Sequence, residues 1–126
     1  MPLEVSWEPL GAVFRFSGVV SDEDLIASCQ EILASPLLPT MKYQITDLSV
    51  IEKLDVSSAT VRELASFDLR AAEINPDVKV AVITSAPLTR GLSNVYALTH
   101  ESMGGSWAVQ IFEREEDARA WAVPSS

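Results

Sequence analysis

Cysteine and histidine occur once each in the 126 residues, so no internal disulfide can form and the usual three- or four-ligand zinc centre cannot be assembled. Basic residues are scarce: 9 stand against 18 acidic ones, a formal charge of −9. Such a surface repels phosphate backbones and anionic lipid, so no nucleic-acid partner is expected. No window approaches the roughly 18 uninterrupted apolar residues of a membrane span. The opening MPLEVSWEPL has no basic region followed by an apolar run, so secretion and membrane insertion are not expected and a cytoplasmic location is. Repeats, low-complexity tracts and linkers are missing as well, which leaves one domain over residues 1–126. The glycine-rich dinucleotide and phosphate-loop patterns, the nucleophile-elbow pattern and the paired-histidine zinc pattern are all absent. No catalytic residue, metal or cofactor is therefore assigned. At this length, folding removes roughly two thirds of the extended surface from water, enough for a core without covalent staples.

What is present is a regular alternation of strand and helix signals. Leu3–Glu8 and Ala12–Phe16 flank the turn residues Pro9-Leu10-Gly11, as in a hairpin. Ser21 precedes Asp22, Glu23 and Asp24, a capping serine with an acid three residues on, and Leu25, Ile26, Cys29, Ile32 and Leu33 then form one helical face that ends at Ser35-Pro36. Tyr43–Leu48 is a short strand candidate. Asp55-Val56-Ser57-Ser58 supplies several capping residues before a second stripe, Val61, Leu64, Ala65, Leu69 and Ala72, that closes near Asn75-Pro76. Val78–Thr84 is β-branched or small apart from Lys79, as in a strand covered on both faces. Ser85-Ala86-Pro87 offers a cap and a first-turn proline for a helix carrying Leu88, Leu92, Val95 and Tyr96. After Gly104-Gly105, Trp107–Phe112 is the last strand, and Glu115, Glu116 and Asp117 open a short helix through Ala118, Trp121 and Ala122. The order β-β-α-β-α-β-α-β-α implies an α/β fold: a mainly parallel five-stranded sheet with an antiparallel edge strand.

Asp47-Leu48-Ser49 followed by Asp55-Val56-Ser57-Ser58 at a helix start resembles the strand–loop–helix signature of STAS domains. Ser17-Gly18-Val19, Val78–Ile83 with Pro87, Leu88 and Gly91, and Ile111-Phe112 through Glu116, Ala118 and Trp121 extend the likeness over nearly the whole chain. Taken together they resemble the SpoIIAA-like family of small bacterial proteins, related in fold to STAS and Sec14-type lipid-binding domains. The resemblance implies a regulatory, non-enzymatic module of bacterial origin with a protein partner. In phosphorylatable STAS regulators the loop reads Asp-Ser-Ser-Gly and its second serine is modified. Aligned on its aspartates, this chain places Ser57 at that position, while Val56 and Ser58 depart from the pattern.

In an open parallel sheet, ligands bind beyond the carboxyl ends of the strands. Asp47, Ser49, Asp55, Ser57, Ser58, Arg62, Ser85, Arg90, Gly91 and Tyr96 are the residues expected along that rim. Arg62 and Arg90 sit near helix starts, where cations oppose the dipole. They either join helix amides in a small anion site, pair with acids such as Asp55, or simply extend into water. Tyr96, Leu92, Met103 and Trp107, with Phe67, Ala71 and Ile74 as a second stripe on one helix, are either core, a homodimer face or the lining of an apolar cavity. His100 is expected to be a solvated cation at a helix end, and Cys29 a buried, inert thiol. Two functions from different classes stay open: the regulatory module, and a carrier of a small apolar or amphipathic, lipid-like ligand whose anionic end lies near Arg90. An enzyme of unrecognised type is a third.

Overall fold

The computed structural model describes residues 3–124. Strand β1 (Leu3–Glu8) turns at Pro9-Leu10 into β2 (Gly11–Ser21) as an antiparallel hairpin. Then follow α1 (Asp22–Ala34), a 3₁₀ turn at Leu38–Thr40, β3 (Tyr43–Asp55), α2 (Ser58–Ile74), β4 (Lys79–Ile83), α3 (Pro87–Ser102), β5 (Ala108–Phe112) and α4 (Glu115–Ala122). The strands lie in sequence order, β1-β2-β3-β4-β5, and every pair after the first is parallel. The α/β architecture, the antiparallel edge and the element order expected from the sequence are those observed.

Strands added in sequence order by right-handed crossovers must carry their connecting helices on one face. The core is divided accordingly. Ile32 of α1 and Ala71 and Ala72 of α2 pack with Ala12, Phe14, Phe16, Val80 and Val82 on one side. On the other side Ala118 and Ala122 of α4 meet Val13, Tyr43, Ile45, Ala81 and Ile83. Both faces of β4 are thus covered, which explains its unbroken apolar run.

Helix α1 begins with a complete capping box: Ser21 Oγ accepts from the Asp24 N–H, and the Asp24 carboxylate accepts from the Ser21 N–H at 2.9 Å. The expected bounds of β2 and β3 are corrected by the structure. Strand β2 continues five residues past Phe16 and β3 seven past Leu48. The alternation that would reveal this is broken by irregular register between Arg15 and Ser17 and between Gly18 and Val19, where Gly18 adopts φ 67°. The β3–β4 ladder ends at Asp47↔Ile83, whereas β2–β3 pairing runs on to Ser21↔Asp55. A two-stranded ribbon therefore overhangs the sheet by about 26 Å along the strand path.

Smaller corrections follow the same logic. Ser85 is exposed and does not cap α3; Ala86 is the cap residue, and Thr84 Oγ1 accepts the Ala86 N–H instead. Trp107 precedes β5 and sends its indole N–H to the Asn75 carbonyl at 2.7 Å. Leu69 is only half-buried, because the inner face of α2 is centred on Leu64, Ala65, Asp68, Ala71 and Ala72.

Candidate functional site

At the end of the β2–β3 ribbon, Ser21↔Asp55 pairing sets the starts of α1 and α2 side by side. Ser57 caps α2: its Oγ accepts the Thr60 N–H at 3.2 Å, as expected of a serine in extended backbone before a helix. Asp22, the first residue of α1, reaches across, with Oδ1 accepting the Ser57 N–H at 3.0 Å and Oδ2 lying 3.5 Å from Ser57 Oγ. Asp55, Ser57 and Ser58 are exposed. Asp22, Glu23, Asp24 and Asp55 make this tip acidic. Arg62 stands on the outer side of α2, beside a shallow concavity shared with Ser58, Ala59, Glu63 and Ser66.

The segments after β3 and β4 leave their strands at different levels, yet Val56, next to Ser57, and Leu92, next to Gly91, line one pocket. Both segments follow parallel strands in the same direction, but Ser85, Arg90 and Gly91 start from the level of Asp47, short of the ribbon tip. Among the described residues, neither Arg62 nor Arg90 is ion-paired to Asp55 or to another acid. Both arginines are exposed residues.

Asp47 and Ser49 are engaged by the fold itself. Asp47 Oδ1 accepts from the Ser49 N–H at 3.0 Å and the Ser49 hydroxyl at 2.6 Å, while Oδ2 pairs with Arg15 at 2.8 Å. Arg15 also binds both oxygens of Glu115, Glu115 binds Arg119, and Arg119 binds both oxygens of Glu8, which accepts the Tyr43 hydroxyl. This chain fastens α4 to the sheet. Arg15 and Arg119 hold the Glu115 carboxyl down to about 2.

Between α1, α2, α3 and the sheet lies a cavity of about 90 Å³ lined by Leu25, Leu48, Leu64, Val82 and Leu92 among others. Asp68 is buried in its wall, accepts the Tyr96 hydroxyl and lies 4.0 Å from the Cys29 sulfur. With no cation among the lining residues, burial pushes the Asp68 carboxyl up to about 8. Burial also drives the Cys29 thiol well above its ordinary value, so the sulfur is unreactive although the residue keeps some exposure. Gln44 Oε1, likewise buried in this wall, has no partner. The apolar set named from the sequence is therefore split. Leu92 and Tyr96 line the cavity, Ala71 and Trp107 are core, Phe67 is half-buried with Arg70 over its ring, and Ile74 and Met103 are exposed.

His100 is not the solvated cation expected. It is 1% exposed; Nε2 accepts the Trp107 N–H at 3.3 Å, and burial lowers its pKa against the opposing Ala65 backbone. Gly105 closes over the ring, leaving no room for a side chain. The residues that sequence reasoning missed are Asp68 and the ion-pair chain. Asp68 had a signal: an acid four residues after Leu64 and seven after Val61, on the buried stripe. Within the ion-pair chain only Glu115–Arg119, at i,i+4 spacing, had a signal; Arg15 and Glu115 are 100 residues apart.

No family model matches the chain, and no curated protein matches it in sequence. Solved structures do. An uncharacterized protein of the DUF3478 family with a SpoIIAA-like fold, from Shewanella loihica PV-4, aligns over 95% of this chain and 91% of its own at 18% identity, with a TM-score of 0.52. The Bacillus cell fate determinant SpoIIAA, in its phosphorylated form, aligns over 94% of this chain and 96% of its own at 13% identity and a TM-score of 0.58. The fold is SpoIIAA-like, as the resemblance implied. No helix of the described residues is long and apolar enough to cross a membrane.

Proposed function

We propose that this chain is a non-enzymatic regulatory module that docks a partner protein at the β2–β3 tip, with Ser57 as its phosphate-accepting residue. The observation that carries the reading is Ser57 itself: an exposed N-cap at the meeting point of two helix starts, in a fold shared with a protein solved in a phosphorylated form. A phosphate there adds about −1.5 to −2 charge at the positive end of α2, where free amides can receive it. It would also stand against the Asp22 carboxylate that now bonds Ser57. Like-charge repulsion would expel Asp22 and loosen the α1–α2 junction, changing the shape and the charge of the tip together. The acidic surroundings favour a basic partner face.

The test starts with protein recovered from its own host. Peptide mapping should find phosphate on Ser57, and crosslinked partners should respond differently to the wild type and to Ser57→Asp. Unmodified Ser57 together with equal partner affinity for both proteins would remove the proposal.

The cavity favours a second reading, a site for a small molecule, but not the ligand first envisaged. Drug-sized sites enclose roughly 300–1,000 Å³, well above what is open here. The wall offers one unpartnered acceptor, Gln44 Oε1, and no cation, so a small apolar molecule with a donor head fits better than one with an anionic end.

A further inference from the structure

Helix α3 turns an apolar stripe away from the protein. Leu88 is 86% exposed, Val95 50% and Leu98 65%, with exposed Gly91 between them. These residues recur at the three- and four-residue spacing of a helix-packing seam. The opposite side of α3, with Thr89, Ser93 and His100, is buried.

Gly91 is the informative member. A glycine inside a helix weakens it relative to alanine. Here φ is not positive, and nothing lies within 4 Å of the place a Cβ would occupy. Neither backbone conformation nor packing within the protomer requires the missing side chain. The close approach of an external helix would.

The stripe is also complementary to itself. Gly91 and Leu98 stand four residues before and three after Val95; Leu88 and Met103 stand seven before and eight after; Arg90 and Glu101 stand five before and six after. Two antiparallel copies of α3 crossing near Val95 would set Leu98 over the partner's glycine and Leu88 against the exposed Met103. Arg90 and Glu101 project from the same flank of the helix, so the crossing brings each against its opposite charge, twice by symmetry. They are the formal charges of α3 apart from neutral His100. On a chain of net charge −9, this balanced helix is a face that a second, equally acidic copy can approach.

We propose that the protein forms a two-fold homodimer through antiparallel α3–α3 packing centred on Val95, with Gly91 as the contact hole. Sedimentation velocity and light scattering up to millimolar protein should show a concentration-dependent dimer. Leu98→Asp should return it to monomer with only a small fall in thermal midpoint in dilute solution, since Leu98 is largely exposed in the protomer. Gly91→Ala should raise the dilute midpoint while weakening the dimer, a pairing of effects that a merely structural glycine would not give. Arg90→Glu or Glu101→Arg alone should weaken association roughly tenfold, and the two together should restore it. A monomer at millimolar concentration overturns the proposal. So does a dimer indifferent to Leu98→Asp and to the charge exchange, which would place the contact elsewhere.

Discussion

Replacing Asp68 by asparagine tests the electrostatics of the cavity wall, because the amide keeps the shape and a partner for the Tyr96 hydroxyl but cannot ionise. In the folded protein burial pushes the Asp68 carboxyl from 3.8 up to about 8. Between those values the native state holds a proton that the unfolded chain has released, so stability must fall as pH rises and level off above about 8. One proton corresponds to about 1.36 kcal/mol per pH unit, or roughly 2 kcal/mol between pH 6.5 and 8. His100 contributes the opposite slope below its ordinary 6.5, and it is common to both proteins. Urea unfolding of wild type and Asp68→Asn at both pH values isolates the carboxyl. The stability difference should move toward the variant by roughly 2 kcal/mol as pH rises, about 8 °C in thermal midpoint for a chain of this size. A difference that stays constant across that range would show that Asp68 is ionised in the fold and that the cavity is wetter than its lining implies.

Other expectations follow from single contacts. Gly105→Ala would drive a methyl group into the buried His100 ring and should cost about 1–3 kcal/mol in chemical denaturation; an unchanged midpoint would mean the ring can move aside. Glu115 titrates near 2 in the fold against an ordinary 4.5, so its contribution is present above 4.5 and lost as pH falls toward 2. The pair is partly exposed, and after screening about 1 kcal/mol should separate wild type from Glu115→Gln in urea at neutral pH, narrowing in acid. Ser57→Ala removes the α2 cap and should lose about 1 kcal/mol by thermal melting. Ser57→Asp should be destabilised by its neighbour, and adding Asp22→Asn should recover roughly 0.5–1 kcal/mol more than additivity allows. Simple additivity would dissolve the repulsion on which the proposed switch depends.

The fold was legible in the sequence because its signals are local. Ser21 with Asp24, Pro87 at a helix start and the apolar run of β4 each declare an element within a few residues. Ser57 was legible for the same reason, as a cap. The overhanging ribbon was not: Gly18 and the irregular register in β2 destroy the two-residue alternation, and Val50 is 69% exposed in the extended part of β3. His100 was misread because its burial depends on Trp107 and Gly105, beyond its helix, rather than on the helix end it occupies. Arg62 and Arg90 were placed near helix starts by local signals, but their exposure is set by tertiary packing that local spacing does not report.

That same overhang has a consequence for regulation. Helix α3 begins beside the end of the β3–β4 ladder, whereas Ser57 sits past the far end of the ribbon, about 26 Å further along the strand path. Ser57, Arg90 and Glu101 are all exposed, so charge added at Ser57 reaches the other two through solvent in which the Debye length is about 8 Å at physiological salt. A packed route does exist, because Asp68 of α2 holds Tyr96 of α3 from inside. The two alternatives separate cleanly in one measurement. Ser57→Asp should leave the dimer dissociation constant unchanged if the tip and α3 act independently, as screening between exposed charges favours. A shift of more than a few fold, abolished by Tyr96→Phe, would instead make the buried Asp68–Tyr96 pair the link between modification and assembly.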